Sequence, residues 1–140
     1  MIRAIILFVI TFIALLVFIG LFIDETRRVQ ETYRKQYKVA IGDVIDDLDS
    51  YINAEGDLDL RYMRIVSDMS SADSFAFLID SFESEKKVIN ELHTCFMKYP
   101  EQMKEKLEEA RTALQDILDE LDKGYDEAAA VVESVNKKGF

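Results

Sequence analysis

Residues 4–23 read AIILFVITFIALLVFIGLFI, twenty consecutive positions without a charge. At 1.5 Å per helical residue the stretch is roughly 30 Å long, the thickness of a bilayer's hydrocarbon core. A cleaved leader is the competing reading. It calls for an apolar core of about 7–15 residues that exits through small residues spaced as A-x-A. Here the exit is Phe18, Ile19, Gly20, Leu21, Phe22, Ile23 and Asp24, so residues 1–23 read as a retained transmembrane anchor. Within it Ala4, Ala14 and Gly20 are not spaced by four, which leaves no small-residue pairing motif. Phe8, Phe12, Leu15, Ile19 and Phe22 form a bulky stripe suited to lipid.

Outside the anchor the chain changes character. Its 140 residues are 49% hydrophobic and 31% charged, with one Pro, one Cys and five Gly, which excludes collagen-like, disulfide-framed and Pro-rich disordered classes. Residues 24–38 form a basic juxtamembrane helix carrying Arg27, Arg28, Arg34, Lys35 and Lys38, and residues 39–140 form an acidic bundle. Only Arg3 precedes the span. Translocating Lys and Arg is unfavourable, so this imbalance favours a cytoplasmic C-terminal domain, with the five basic side chains near lipid headgroups. An acidic body offers no basic footprint for nucleic acid.

The apolar residues that follow recur at helical spacing. Tyr33, Tyr37, Ile41, Val44, Ile45, Leu48 and Ile52 step by three and four with no breaker before Asn53–Gly56, so the membrane helix is expected to continue into the domain and leave the bilayer rigidly. Asp57 is placed to cap a second helix with Leu60, Met63, Ile65, Val66 and Met69 on its apolar side, ending near Ser70. Ser70 and Asp73 have capping-box spacing and predict the start of a third helix, with a stripe of Phe75, Leu78, Ile79, Phe82, Ile89, Leu92 and Phe96. Tyr99 and Pro100 then punctuate the chain.

The most regular segment comes last. Met103, Leu107, Ala110, Leu114, Ile117 and Leu121 alternate steps of four and three, and the same register passes Gly124 to Ala128, Val131 and Val135. Such a heptad seam serves packing or assembly, either in a kinked helix or in two helices. An internal seam is favoured over an intermolecular one because the other helices each carry an apolar face needing cover. The fold class is therefore all-α: a single N-terminal transmembrane helix followed by an antiparallel three- or four-helix bundle with a coiled-coil-like C-terminal helix.

Chemistry-bearing patterns are sparse. Aligning Gly56 with the glycine of a calcium loop puts Tyr51 and Tyr62 at the ligand ends, which excludes an EF-hand. The carboxylates Asp46, Asp47 and Asp49, and Asp116, Asp119, Glu120 and Asp122, read as solvated helix faces. His93 and Cys95 are the sole His and Cys and point to different helix faces, so they make neither a metal pair nor a nucleophile–base pair. Cys95 is expected partly buried and His93 near the surface. No phosphate-cradling glycine pattern is present. The chain is thus expected to use no catalytic residue, metal or cofactor.

The partners implied are membrane lipid and another protein, either a membrane complex or a second copy of the chain. The function this supports is a non-enzymatic single-pass membrane-anchored helical-bundle protein in protein–protein interaction or assembly, as adaptor, scaffold or accessory subunit. The alternatives are an extracytoplasmic sensor or ligand-binding bundle, or a phage-type envelope or lysis protein. The layout itself is shared by many unrelated families, and no residue motif singles one out.

Overall fold

The computed structural model describes residues 1–138, and the regular secondary structure among them is all helical. Gly139 and Phe140, the last two residues of the stretch read as the acidic bundle, lie outside the described residues. Six helices follow in order: α1 (Ile2–Ile52), α2 (Leu58–Leu78), α3 (Ser84–Lys98), α4 (Pro100–Lys104), α5 (Leu107–Asp119) and α6 (Tyr125–Ser134). The chain divides into two units, Met1–Thr32 and a second that starts at Tyr33.

In the first unit every large apolar side chain from Ile5 to Ile23 is at least 44% exposed. One helix is thus long and apolar enough to cross a membrane, and it lies at the N-terminus. The hydroxyl of Thr11 donates to the Leu7 carbonyl at 2.9 Å, so the one polar side chain of residues 4–23 is satisfied within its own helix, as a hydrocarbon environment requires.

The second unit is organised on the stripe anticipated from spacing: Tyr37, Ile41, Val44, Ile45 and Leu48 are buried, and Tyr33 and Ile52 are half-buried against the same core. α1 stops in a paired-bond terminus. Glu55 N donates to Ser50 O and Ala54 N to Tyr51 O, with Ala54 itself at φ 54°, a left-handed position that glycine usually occupies. Asp57 caps α2 as expected, accepting from Leu60 N at 3.1 Å.

Two boundaries differ from expectation. α2 runs through Ser70–Asp73 without a break. The capping-box serine does not cap: Ser74 Oγ donates to the Ser70 carbonyl at 2.9 Å, a bond made in a helix interior. The break falls instead at residues 79–83, where Ile79 turns extended and both Ile79 and Phe82 enter the core. Phe82 meets Tyr37 and Tyr125 edge-on, with ring centroids 5.3 and 5.9 Å away, and these aromatic contacts fix the turn. The buried face of α2 agrees with the expected one in part: Ile65 and Met69 are inside and Val66 packs against the core, but Tyr62, Ala72 and Ala76 complete the face while Leu60 and Met63 are 51% and 68% exposed.

The C-terminal segment is three helices rather than one coiled-coil-like helix. Its seam nevertheless converges: Met103, Leu107, Ala110, Leu114, Ile117, Ala128, Val131 and Val135 are buried and Leu121 is half-buried, all within the core of this chain. α6 packs on both α5 and α3, and α3 packs on α2. Pairs of contacts give the directions. Tyr62 meets Phe96 while Asp73 meets His93, so α2 and α3 are antiparallel. Asp49 meets Arg111 while Tyr37 meets Tyr125, so the chain from α5 to the start of α6 returns along α1.

Gly124 permits the last reversal. At φ 82°, a Cβ there would collide with the Ala113 carbonyl oxygen and lie 2.9 Å from Ile117 N. Gly124→Ala is therefore expected to destabilise the protein by about 3 kcal/mol through left-handed strain plus overpacking. Ala54→Gly relieves strain at an exposed helix end and is expected to add about 0.5–1 kcal/mol. Urea unfolding of the full chain in detergent, read by helicity, checks both signs.

Candidate functional site

The basic side chains expected near headgroups divide between the two units. In the first, Arg27 and Arg28 are exposed, and Arg28 pairs with Glu25 at 3.4 Å. In the second, Lys35 is exposed, Lys38 is half-buried, and Arg34 donates from Nη2 to Ser81 Oγ at 2.7 Å, clasping the turn between α2 and α3.

Two of the three α1 acids expected on a solvated face, Asp47 and Asp49, are instead engaged at helix contacts. Asp47 lies between Ile45 and Leu48 on the buried side and is only 9% exposed. Arg61 Nη1 stands 3.6 Å from its Oδ1. Asp49 accepts two bonds from Arg111, at 2.6 Å from Nε and 3.0 Å from Nη2. That two-pronged geometry holds the Asp49 carboxyl below its usual range. The other carboxylates singled out, Asp46, Asp116, Asp119, Glu120 and Asp122, are exposed.

A third acid completes the α1–α2 cluster. Asp68 shares a hydrogen bond with Asp47, and burial, that bond and the charges of Asp47 and Asp43 push its carboxyl up to about 6 against the pull of Arg64. Asp68, Arg61 and Arg111 escaped the sequence reading because their partners are distant in the chain. The available signal was Asp47, an acid three positions after Val44 inside an apolar stripe.

Two further polar groups tie helices together. Tyr37 and Tyr125 hydroxyls lie 3.1 Å apart in the core, and burial raises both, Tyr125 to about 12. His93, expected near the surface, has a side chain only 15% exposed, with Nδ1 3.3 Å from Asp73 Oδ2. Asn90 donates to the same oxygen at 2.9 Å. Cys95 is more deeply buried than expected, at 1% exposure, and burial pushes its thiol up, which disfavours the reactive thiolate.

Where α3 and α6 begin, Glu85, Asp116, Asp122, Asp126 and Glu127 line an open cleft of about 480 Å³ together with Lys123. Among the described residues no three His, Cys, Asp or Glu side chains are grouped to hold a metal ion. In comparisons with family models, curated proteins and solved structures, no match to the chain was found.

The Asp47–Asp68 pair gives the domain a pH dependence of definite sign. The folded state holds the Asp68 proton more tightly than the unfolded chain does, so stability is greatest below the unfolded value and is lost as pH rises through about 6. The depressed Asp49 acts oppositely, its contribution being lost only in stronger acid. Melting temperature is therefore expected to rise from pH 8 to pH 5, and Asp68→Asn to flatten that rise, in a thermal-melt series followed by circular dichroism.

Proposed function

We propose that this chain is a non-enzymatic single-pass membrane protein whose acidic helical domain works in protein–protein interaction or assembly, as an adaptor, scaffold or accessory subunit of a membrane complex. The observation that carries this reading is the exposed apolar helix at the N-terminus, with its Thr11 hydroxyl already satisfied. Such a surface is stable only when covered by lipid or protein. The basic residues Arg27, Arg28, Arg34, Lys35 and Lys38 after residue 23 support a cytoplasmic domain and contact with headgroups. The polar groups inside the domain support an interaction role in another way: Asp47, Asp49, Asp73 and Tyr37 are each engaged in ties between helices. The exposed acids Asp116 and Asp122, and Asp119 beyond the bond its Oδ1 accepts from Gln115 Nε2, support an acidic surface for a partner with a basic one.

The full chain is expected to stay with carbonate-washed membranes and a chain lacking residues 1–23 to be released. A C-terminal reporter active only in the cytoplasm is expected to report, and activity of an outside-only reporter would reverse the orientation. A photo-cross-linker at exposed Asp119 in the anchored chain is expected to give a discrete polypeptide adduct. Absence of any protein adduct there would overturn the interaction reading.

A further inference from the structure

A hollow of about 330 Å³ lies between the C-terminal half of α3 and the chain that follows α6. α3 contributes Asn90, Glu91, Thr94, Cys95 and Lys98 to its lining, and the tail after α6 contributes Lys137. That tail is held in place. Asn136 N donates to Gln102 Oε1 at 2.7 Å, and Gln102 Nε2 donates back to the Asn136 carbonyl at 3.1 Å. Val135, just before this clasp, is buried. Lys137, just after it, is thereby fixed beside α3.

The donors around the hollow lack acceptors. Of the five threonines in the chain, Thr11, Thr26, Thr32 and Thr112 each donate to the carbonyl four residues back at 2.9 Å. Thr94 does not: its side chain is half-buried at the hollow, and its hydroxyl makes no hydrogen bond among the described residues. Neither Lys98 nor Lys137 makes an ion pair or a side-chain hydrogen bond among them. Two other polar groups are committed elsewhere, since Asn90 donates to Asp73 Oδ2 at 2.9 Å and Glu91 stands 3.9 Å from Lys87 Nζ. Burial keeps the Cys95 thiol neutral.

Lys98 has a local explanation, because a cation in the last turn complements the C-terminal pole of α3. That account does not reach Lys137, which is brought to the same hollow from beyond α6. Two ammonium groups facing one hollow repel each other, and an anion between them turns repulsion into attraction. Ammonium groups only donate, so the ligand must accept. A phosphate group presents three acceptor oxygens, enough for both ammonium groups and the hydroxyl. The hollow stands at the small end of the volumes that hold small molecules.

We propose that this hollow binds a phosphate group, with Lys98 and Lys137 supplying the charge and Thr94 a directed hydrogen bond. A soluble small molecule and a lipid headgroup both carry such a group, and the recognition chemistry is the same for either. Because the ligand bridges α3 and the tail, binding stabilises the folded chain by mass action.

The test is a thermal melt of the full chain in neutral detergent micelles, followed by circular dichroism at an ionic strength held constant with chloride. One series adds inorganic phosphate, and a second adds phosphatidic acid to the micelles. The melting temperature is expected to begin rising near about 1 mM phosphate and then to follow the logarithm of its concentration. Lys98→Gln combined with Lys137→Gln is expected to move that onset at least about tenfold higher, and Thr94→Val about threefold. Lys123→Gln, at an exposed lysine outside the hollow, is expected to leave it in place. Each variant is read from its own ligand-free melting temperature, and general salting by phosphate acts on all of them alike. A rise with inorganic phosphate assigns a soluble ligand and a rise with phosphatidic acid alone assigns a headgroup; either supports the site when the double variant removes it. No rise in either series, a rise that the double variant keeps, or an equal loss from Lys123→Gln would each overturn the proposal.

Discussion

Everything in the helical domain depends on one face of one helix. From Tyr37 to Leu48 the second half of α1 presents Tyr37, Ile41, Val44, Ile45 and Leu48 inward, and segments distant in the chain all reach that line. Phe82 reaches it from the turn after α2, Arg61 from α2, Arg111 from α5 and Tyr125 from α6. Each fully buried large side chain on it contributes about 2 kcal/mol of apolar burial. The same line carries the polar ties, so a shift of α1 by one residue would unseat packing and ion pairs together.

Those ties concern placement more than strength. A carboxylate in a helix interface loses hydration that an ion pair only partly restores, so such pairs add little net stability while penalising misplacement of either partner. Asp49 with its two-pronged Arg111 fixes α5 against α1 in this way, and Asp47 with Arg61 fixes α2. Asp68 is the exception, since it meets a second carboxyl and depends on a proton to remain comfortable beside Asp47. The domain thus concentrates its internal electrostatic cost at the α1–α2 contact, while most of its acids remain in water.

How much could be read in advance varied with the length and isolation of each pattern. The α1 stripe was legible because nothing interrupts it before Asn53. The α2–α3 boundary was not, because Ser70 and Asp73 satisfy a local capping pattern while Phe82, twelve residues on, has two aromatic rings to meet in the core. The N-terminal part of the α2 face is illegible for a related reason. Leu60 and Met63 are as apolar as core residues, and only the positions of α1 and α3 show that Tyr62 and Ala72 face inward with Ile65 and Met69 instead of them. The regular C-terminal seam was legible as a set of buried positions but not as a shape: α4, α5 and α6 break it twice, and the pieces share one core. Among the acids, Asp47 and Asp49 differ from Asp46 by their facing on α1 and by arginines that come from elsewhere in the chain.

The sequence by itself determined what local composition and period can determine: a helical chain, an uncharged helix of bilayer length, a basic stretch followed by an acidic body, the cap at Asp57 and the helix start at Pro100. These follow from backbone hydrogen bonding and hydropathy, which act among neighbours. Tertiary structure alone decided where α2 ends, which side of it is buried, how the seam folds back at Gly124, and which carboxylates are paired. Each of those outcomes requires groups far apart in the chain, such as Tyr37 with Tyr125 or Asp49 with Arg111, to compete for one core, and that competition is settled only when all the helices are packed.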